Sequence, residues 1–357
     1  MVYSPAALIH DGAVEPVTPG SPEHVALVTR TLGIDAARWQ GVHDEFARRV
    51  VPGASVAERL AVLRAAWETH GVPGSSGPPL ESSPCPCCGG VVGPWIARSA
   101  PPLAAGRCAG CGHGVLLEGR ASAAVYETAA YYEAVDAGTG AGYAGYEDER
   151  VYREAKGARL LDRIEAVIRP GAPRTMLEVG SGYGFTRRAA EARGIATAGV
   201  DVNPHAARAA RRLHGLSTHV GDLGSALASG VVGPGAFDLV VAQFVLEHLE
   251  DPGAELDRMA LALAPGGHAA LIVPSAEAVE ADVMGGAYRS LRGDHLHYFS
   301  RRSLGSLVER AGLETAALWT ECNVHVLLGF LSAEELARDV YGAGLGPDIT
   351  LVARKPA

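Results

Sequence analysis

"MLEVGSGYGF", residues 176–185, decides the fold. An apolar strand runs into a glycine-rich turn, and an aromatic residue opens the helix beyond it. In a doubly wound α/β sheet such a turn sits at the carboxyl edge of the first strand, where ligands bind. Its glycines let the main chain approach a ligand with no side chain in the way. The plainer reading of the same residues is a tight strand–helix connection without a ligand. A dinucleotide fingerprint requires Gly-x-Gly-x-x-Gly. Here the glycines are Gly180, Gly182 and Gly184, and Phe185 stands where the third dinucleotide glycine belongs. Glu178, just ahead of the loop, is a poor neighbour for a pyrophosphate. A carboxylate there suits a cationic ligand, one carrying an amino group and a sulfonium.

Outward from this loop, the strand candidates "ATAGVDV" (196–202), "FDLVVAQ" (237–243) and "HAALIVP" (268–274) alternate with amphipathic helices. One such helix carries Leu256, Met259, Ala260 and Leu263. Nearly continuous apolar strands separated by helices predict a parallel sheet covered on both faces. "GPDITLVARKP" (346–356) reads as a terminal strand after a helical stretch around 332–341. Asp201 falls at the tip of the second strand, where an acid can accept hydrogen bonds from both hydroxyls of a ribose. A solvent-facing strand-end Asp is the alternative. Asp222, in "VGDL" (220–223), is placed to bond an adenine amino group.

Taken together, "LEVGSGYG", "GVDVNP", "GDL", "FDLVVAQFVLEHLEDP" and "LAPGGHAALIVPS" resemble the class I S-adenosylmethionine-dependent methyltransferases over residues 175–275. The resemblance implies a Rossmann-like seven-stranded sheet with an antiparallel last strand. It implies that Glu178, Gly180, Gly182, Gly184, Asp201, Asp222 and Leu223 hold the cofactor, with Gln243 and Phe244 near its methionine end.

Five of the six cysteines crowd into residues 85–111. Cys85-x2-Cys88 and Cys108-x2-Cys111 have the spacing of a closed, structural four-cysteine zinc site. Cys87 is the alternative ligand to Cys88, and free or oxidised thiols are the alternative to metal. Cys322 is most simply a small buried hydrophobe. A zinc ribbon ahead of such a domain is similar to a set of small-molecule and sugar methyltransferases, and to a zinc-bearing ribosomal RNA methyltransferase. The chain looks like the first set through residues 85–312. Fewer residues follow the histidine motif in this sequence than in the sugar C-methyltransferases, which carry a long extra domain there.

Ser21-Pro22 and the Ser55/Glu58 capping box open helices ahead of the cysteines. "GVPGSSGPPLESSP" (71–84) reads as a linker. The expected organisation is an N-terminal helical region (1–80), a zinc module (81–120), a Tyr-rich lid and helical connector (121–170), and the methyltransferase domain (171–357). Tyr131, Tyr132, Tyr143 and Tyr146 form either a lid over cofactor and acceptor or ordinary packing. The N-terminal helices and zinc ribbon would build an acceptor-pocket wall or a homodimer contact.

In "LRGDHLHYFSRRSL" (291–304), His295 is the candidate general base and Asp294 the carboxylate that orients it. The resembling motif of sugar C-methyltransferases is Tyr-x-Glu-His; here Arg292 replaces the tyrosine, and we place Arg292 with the substrate or lid residues. His248, in "VLEHLEDP", is the second candidate base. His297, Tyr298 and Phe299 read as packing beneath the loop, and Ser300 as the cap of a helix bearing Leu304, Leu307, Val308 and Ala311. A metal held by His295 and His297 is disfavoured, because no further ligands adjoin them in sequence.

Composition bounds the partners. The net charge of −9 provides no basic field to gather phosphates, which argues against nucleic acid. The N-terminus shows no basic stretch followed by an apolar one, and no apolar run approaches the roughly 20 residues that span a bilayer. The expectation is a soluble, cytoplasmic enzyme acting on a small-molecule acceptor. An RNA methyltransferase, or a non-catalytic cofactor-binding module, are the alternatives.

Overall fold

The computed structural model describes residues 21–32, 34–70, 84–99, 102–168, 171–321, 327 and 330–357. Apart from Pro84, the linker at 71–84 lies outside these residues, as does Cys322. The chain divides into two units that cut across the contiguous division expected from sequence. One comprises residues 1–120, 274–300 and 319–348; the other comprises 121–273, 301–318 and 349–357. Residues 274–300 and 319–348 therefore belong with the N-terminal part of the chain, although the sequence reading assigned both to the methyltransferase domain.

The first unit begins with helices α1 (Pro22–Leu32), α2 (Ala36–Arg49) and α3 (Val56–His70). Their starts are set by side chains that satisfy orphan amides. Ser21 Oγ accepts from the His24 N–H at 3.2 Å and Asp35 from the Arg38 N–H at 2.7 Å. Ser55 and Glu58 bond each other's amides, as the capping box predicts. Trp39, Val42, Leu63 and Trp67 form the helices' buried face, with Val283, Met284 and Phe330 in the same core. Strands β1 (Val92–Ser99), β2 (Pro102–Cys108) and β3 (Gly114–Glu118) make an antiparallel meander.

The second unit is the α/β sheet. It is entered through the short α4 (Ala130–Glu133) and the long α5 (Arg150–Val167), whose buried residues include Leu160, Leu161 and Ile164. Then follow β4 (Thr175–Val179), α6 (Phe185–Glu191), β5 (Ala196–Asp201), α7 (Pro204–His214), β6 (His219–Val220) and α8 (Leu223–Ala228). After these come β7 (Phe237–Gln243), α9 (Pro252–Ala262) and β8 (Leu263–Pro274). In the first unit lie α10 (Val279–Met284), β9 (His297–Tyr298) and, over the stretch expected to be helical, α12 (Ala333–Glu335) running into a π-helical turn, Leu336–Tyr341; α11 (Arg301–Arg310), β10 (Glu314–Glu321) and β11 (Asp348–Arg354) complete the order.

The large sheet runs β10-β11-β8-β7-β4-β5-β6. β4 pairs in parallel with β5 on one side and β7 on the other, so the strand order reverses at β4. That reversal is the switch point where doubly wound sheets bind ligands. Central strands are apolar because both faces are covered: Met176, Leu177, Leu239, Val240, Val241, Ala269 and Leu271 are fully buried. Lys355 pairs with Gly267 at one end, and Ser275 with Pro347 at the other, so β11 runs antiparallel to β8.

Candidate active site and cysteine centre

The glycine loop leaves β4 with Gly180, Gly182 and Gly184 at φ of 65°, 51° and 79°. Glycine alone adopts this backbone region at every one of these alternating positions without strain. The Ser181 N–H donates to Val200 O at 3.0 Å, which draws the loop over β5. The Gly182 N–H donates to Asp201 Oδ2 at 2.7 Å, and the Asn203 N–H to Asp201 Oδ1 at 2.8 Å. Each carboxylate oxygen keeps acceptor capacity beyond these bonds. Burial raises the Asp201 pKa.

Glu178 is buried, and its Oε2 has no hydrogen-bond partner; neither has the Ser181 hydroxyl. Burial pushes the Glu178 carboxyl up to about 7, although the Arg187 guanidinium and the Thr186 hydroxyl favour its charged form. An orphaned buried carboxylate oxygen costs free energy until a donor or cation reaches it. The residues around the loop thus fit an S-adenosylmethionine, whose amino and sulfonium groups are cationic.

A Cβ placed on Gly182 would lie 3.3 Å from the Tyr146 hydroxyl and 3.5 Å from that of Tyr132. These two tyrosines therefore stand over the loop. Arg153 lies 3.7 Å from the Tyr146 ring centroid and 5.2 Å from that of Tyr143. Tyr131 packs edge-on against Tyr126, Tyr132 and Tyr143. Asn203, which the sequence reading did not single out, caps α7 and donates from Nδ2 to the carbonyls of Tyr126 and Thr128, at 2.6 and 2.9 Å. It thereby ties the start of the tyrosine segment to the tip of β5.

At the end of β7, Gln243 Oε1 accepts from the Thr186 hydroxyl at 3.5 Å. Phe244 is the non-glycine residue with positive φ, 55°, among those described. Its N–H donates to Ile272 O, and Lys156 Nζ lies 4.6 Å from its ring centroid. Such strain concentrates at functional sites. Asp222 caps α8 by accepting from the Ser225 N–H. The Leu223 side chain is fully buried, which leaves its main chain as the part able to meet a ligand. His248 Nδ1 lies 3.1 Å from the Tyr126 hydroxyl, a partner with no signal in the sequence.

The histidine motif belongs to the first unit. His295 is buried, and its Nδ1 lies 3.0 Å from Ser290 O. A carbonyl only accepts, so Nδ1 carries a hydrogen. The orienting role expected of Asp294 is thus filled at Nδ1 by the Ser290 carbonyl. Asp294 instead receives a two-pronged bond from Arg292, at 2.8 Å from Nε and 2.7 Å from Nη2. The planar guanidinium matches both carboxylate oxygens. His297 Nδ1 meets His113 Nε2 at 3.1 Å, both buried.

Four sulfurs, of Cys85, Cys88, Cys108 and Cys111, lie within 4.8 Å of one another. The Cys85–Cys111 and Cys88–Cys108 separations are 3.6 and 3.5 Å. A disulfide requires about 2.05 Å, whereas four sulfurs about 2.3 Å from one tetrahedral ion stand roughly 3.8 Å apart. The two Cys-x-x-Cys turns repeat one another. Cys85 N–H donates to Gly90 O and Cys108 N–H to His113 O, and Gly89 and Gly112 donate back to Cys85 O and Cys108 O. Main-chain N–H groups of Cys87 and Cys88 also bond the Cys85 sulfur, as those of Gly110 and Cys111 bond Cys108.

Comparison with known proteins gives the chain's family. Residues 146–318 match the family model of a methyltransferase domain. A ubiquinone biosynthesis O-methyltransferase of Ralstonia nicotianae is 31% identical over 168 residues, covering 44% of this chain and 70% of that protein. Its counterpart from Thiobacillus denitrificans is 31% identical over 160 residues, covering 42% and 68%. Among solved structures, a SAM-dependent methyltransferase from Archaeoglobus fulgidus aligns with a TM-score of 0.43 at 19% identity, over 57% of this chain and 94% of its own. The fold and the loop define a class I methyltransferase. The chain belongs to the S-adenosylmethionine-dependent methyltransferases.

Proposed function

We propose that this methyltransferase modifies a small-molecule acceptor. The observation that carries this reading is the 31% identity, over more than two thirds of their length, to O-methyltransferases named for ubiquinone biosynthesis. The net charge of −9 supports it against an RNA substrate.

When bound, S-adenosylmethionine supplies a methyl group on an electrophilic sulfonium. Glu178 would hold its cationic end, Asp201 would accept from the ribose hydroxyls, and Asp222 with the Leu223 main chain would meet the adenine. Gln243 and Phe244 border the methionine end. Tyr132 and Tyr146 cover the loop and exclude water from it. His295 takes the acceptor's proton at Nε2, the Ser290 carbonyl holding Nδ1–H, and a positioned base of this kind contributes about 10²–10⁴-fold. His248, with Tyr126, is the second candidate for that proton.

We propose further that Cys85, Cys88, Cys108 and Cys111 bind one structural zinc ion. Four thiolates leave no open position for chemistry, and this soft four-sulfur donor set suits zinc. The acceptor class is tested by incubating the protein with methyl-labelled S-adenosylmethionine and either a small-metabolite extract or total RNA. Label is expected in the small-molecule fraction; label in RNA would overturn the assignment.

A further inference from the structure

The cysteine turns and the histidine motif share one sheet. β9 (His297–Tyr298) joins β1-β2-β3 as its fourth strand, with Gly114 opposite Tyr298 and Val115 opposite His297. The Leu116 N–H donates to Leu296 O at 3.0 Å. The Ser300 hydroxyl donates to the carbonyl of Cys111 at 2.6 Å. His113, two residues after that cysteine, meets His297 across 184 residues of sequence, and both rings pack on Phe299 at 5.1 and 6.1 Å. Close approach is built into the same edge: a Cβ on Gly112 would lie 3.2 Å from Ser300 Cβ, and one on Gly114 2.9 Å from Tyr298 Cβ. Residues 111–116 thus hold residues 296–300 through main chain, side chains and packing together.

A two-residue strand has too few bonds to fix its own conformation; the edge it joins sets it. That edge starts from the Cys108–Cys111 turn. The shape of a turn built around four clustered thiols depends on what holds the sulfurs together, since metal binding in small modules supplies folding free energy. Leu296, bonded to Leu116, is the residue next to His295.

We infer that the four-cysteine centre is the device that positions the His295 segment, with His113 and Ser300 as positioning residues that transmit the shape of the Cys108–Cys111 turn to residues 295–300. The inference rests on the reading of the four thiols as a metal site and of His295 as the base. It gives a site that takes no part in bond making a direct hold on turnover.

The test uses the full chain in four variants: His113→Phe with His113→Gln as its hydrogen-bonding counterpart, and Ser300→Ala with Ser300→Thr. Metal content, S-adenosylmethionine affinity, kcat, KM and amide exchange across 294–300 are measured on each. In His113→Phe and Ser300→Ala, metal stays bound and cofactor affinity is unchanged. Exchange across 294–300 rises at least about tenfold and kcat falls at least about tenfold with little change in KM. His113→Gln and Ser300→Thr, whose new side chains can bond as the originals do, retain most of the wild-type protection and turnover. Removing the metal from the wild-type chain raises exchange over the same residues. Unchanged exchange across 294–300, in the variants or on metal removal, overturns the inference. Should His113→Phe fail to fold, metal removal from the wild type decides alone. Full turnover in His295→Ala would remove the base assignment, yet the exchange experiment would still decide the positioning.

Discussion

The main-chain N–H of Gly182 donates to Asp201 Oδ2 at 2.7 Å, so the glycine loop and the acid at the tip of β5 hold each other in place. Asp201→Ala removes both the proposed acceptor for the ribose and the anchor of the loop. Its dissociation constant for S-adenosylmethionine, measured by titration calorimetry, is expected to rise at least about tenfold, the loss of charge-assisted hydrogen bonds. An unchanged constant would contradict the ribose assignment.

Gly199 is the residue beside Glu178 on the neighbouring strand. A Cβ there would lie 2.3 Å from Arg187 Nη1 and 2.8 Å from Ser181 Oγ. Arg187 cannot easily yield, because it donates to Thr218 Oγ1 at 3.0 Å, Ser217 O at 2.9 Å and Thr197 Oγ1 at 3.3 Å. Gly199→Ala is expected to destabilise the chain by about 1–3 kcal/mol, the usual cost of overpacking, in denaturant unfolding. Removing Arg187 as well should make the alanine's own cost smaller.

If Glu178 holds the cationic end of the cofactor as proposed, binding should depend on pH. Burial raises its pKa from the ordinary 4.5 to about 7, so the apo protein holds a proton there that the unfolded chain gives up. Glu178 therefore contributes stability below about pH 4.5 that is lost as pH rises through about 7. Cofactor binding has the opposite sign, because a cationic ligand prefers the carboxylate. Affinity should tighten as pH rises from about 6 to about 8, with proton release on binding near pH 6, read by calorimetry in buffers of different ionisation enthalpy. Glu178→Gln should flatten that dependence.

The cysteine centre separates two neighbouring thiols. Cys88 belongs to the cluster of four and Cys87 does not. Cys88→Ser is expected to lose the zinc, measured as metal content of the purified chain, while Cys87→Ser keeps it. The reverse result would move the ligand set by one residue.

Features carried by short spacing were legible in the sequence. The glycine loop, the paired Cys-x-x-Cys turns and the Ser55/Glu58 capping box each depend on residues a few positions apart, and each formed as its spacing required. Other features depend on residues that meet across the chain. His113 and His297, Tyr126 and His248, and Arg187 and Gly199 are partners that no periodicity announces, and β9 is too short to show an alternation. Asp294 and His295 were paired because they are adjacent. Adjacent residues need not point together, and Arg292, two positions away, offers Asp294 a better-matched donor set. Residues 274–300 and 319–348 group with the N-terminal unit through long-range contacts that spacing along the chain does not announce.

The most direct test concerns His295. Cofactor affinity and the rate of methyl transfer from labelled S-adenosylmethionine to the small-molecule fraction should be measured side by side for the wild type and His295→Ala. Turnover should fall at least about tenfold, the low end of what a positioned base contributes, with the dissociation constant for the cofactor unchanged. Wild-type turnover in His295→Ala would remove His295 from the mechanism and leave His248, or alignment of the acceptor alone, to account for the reaction.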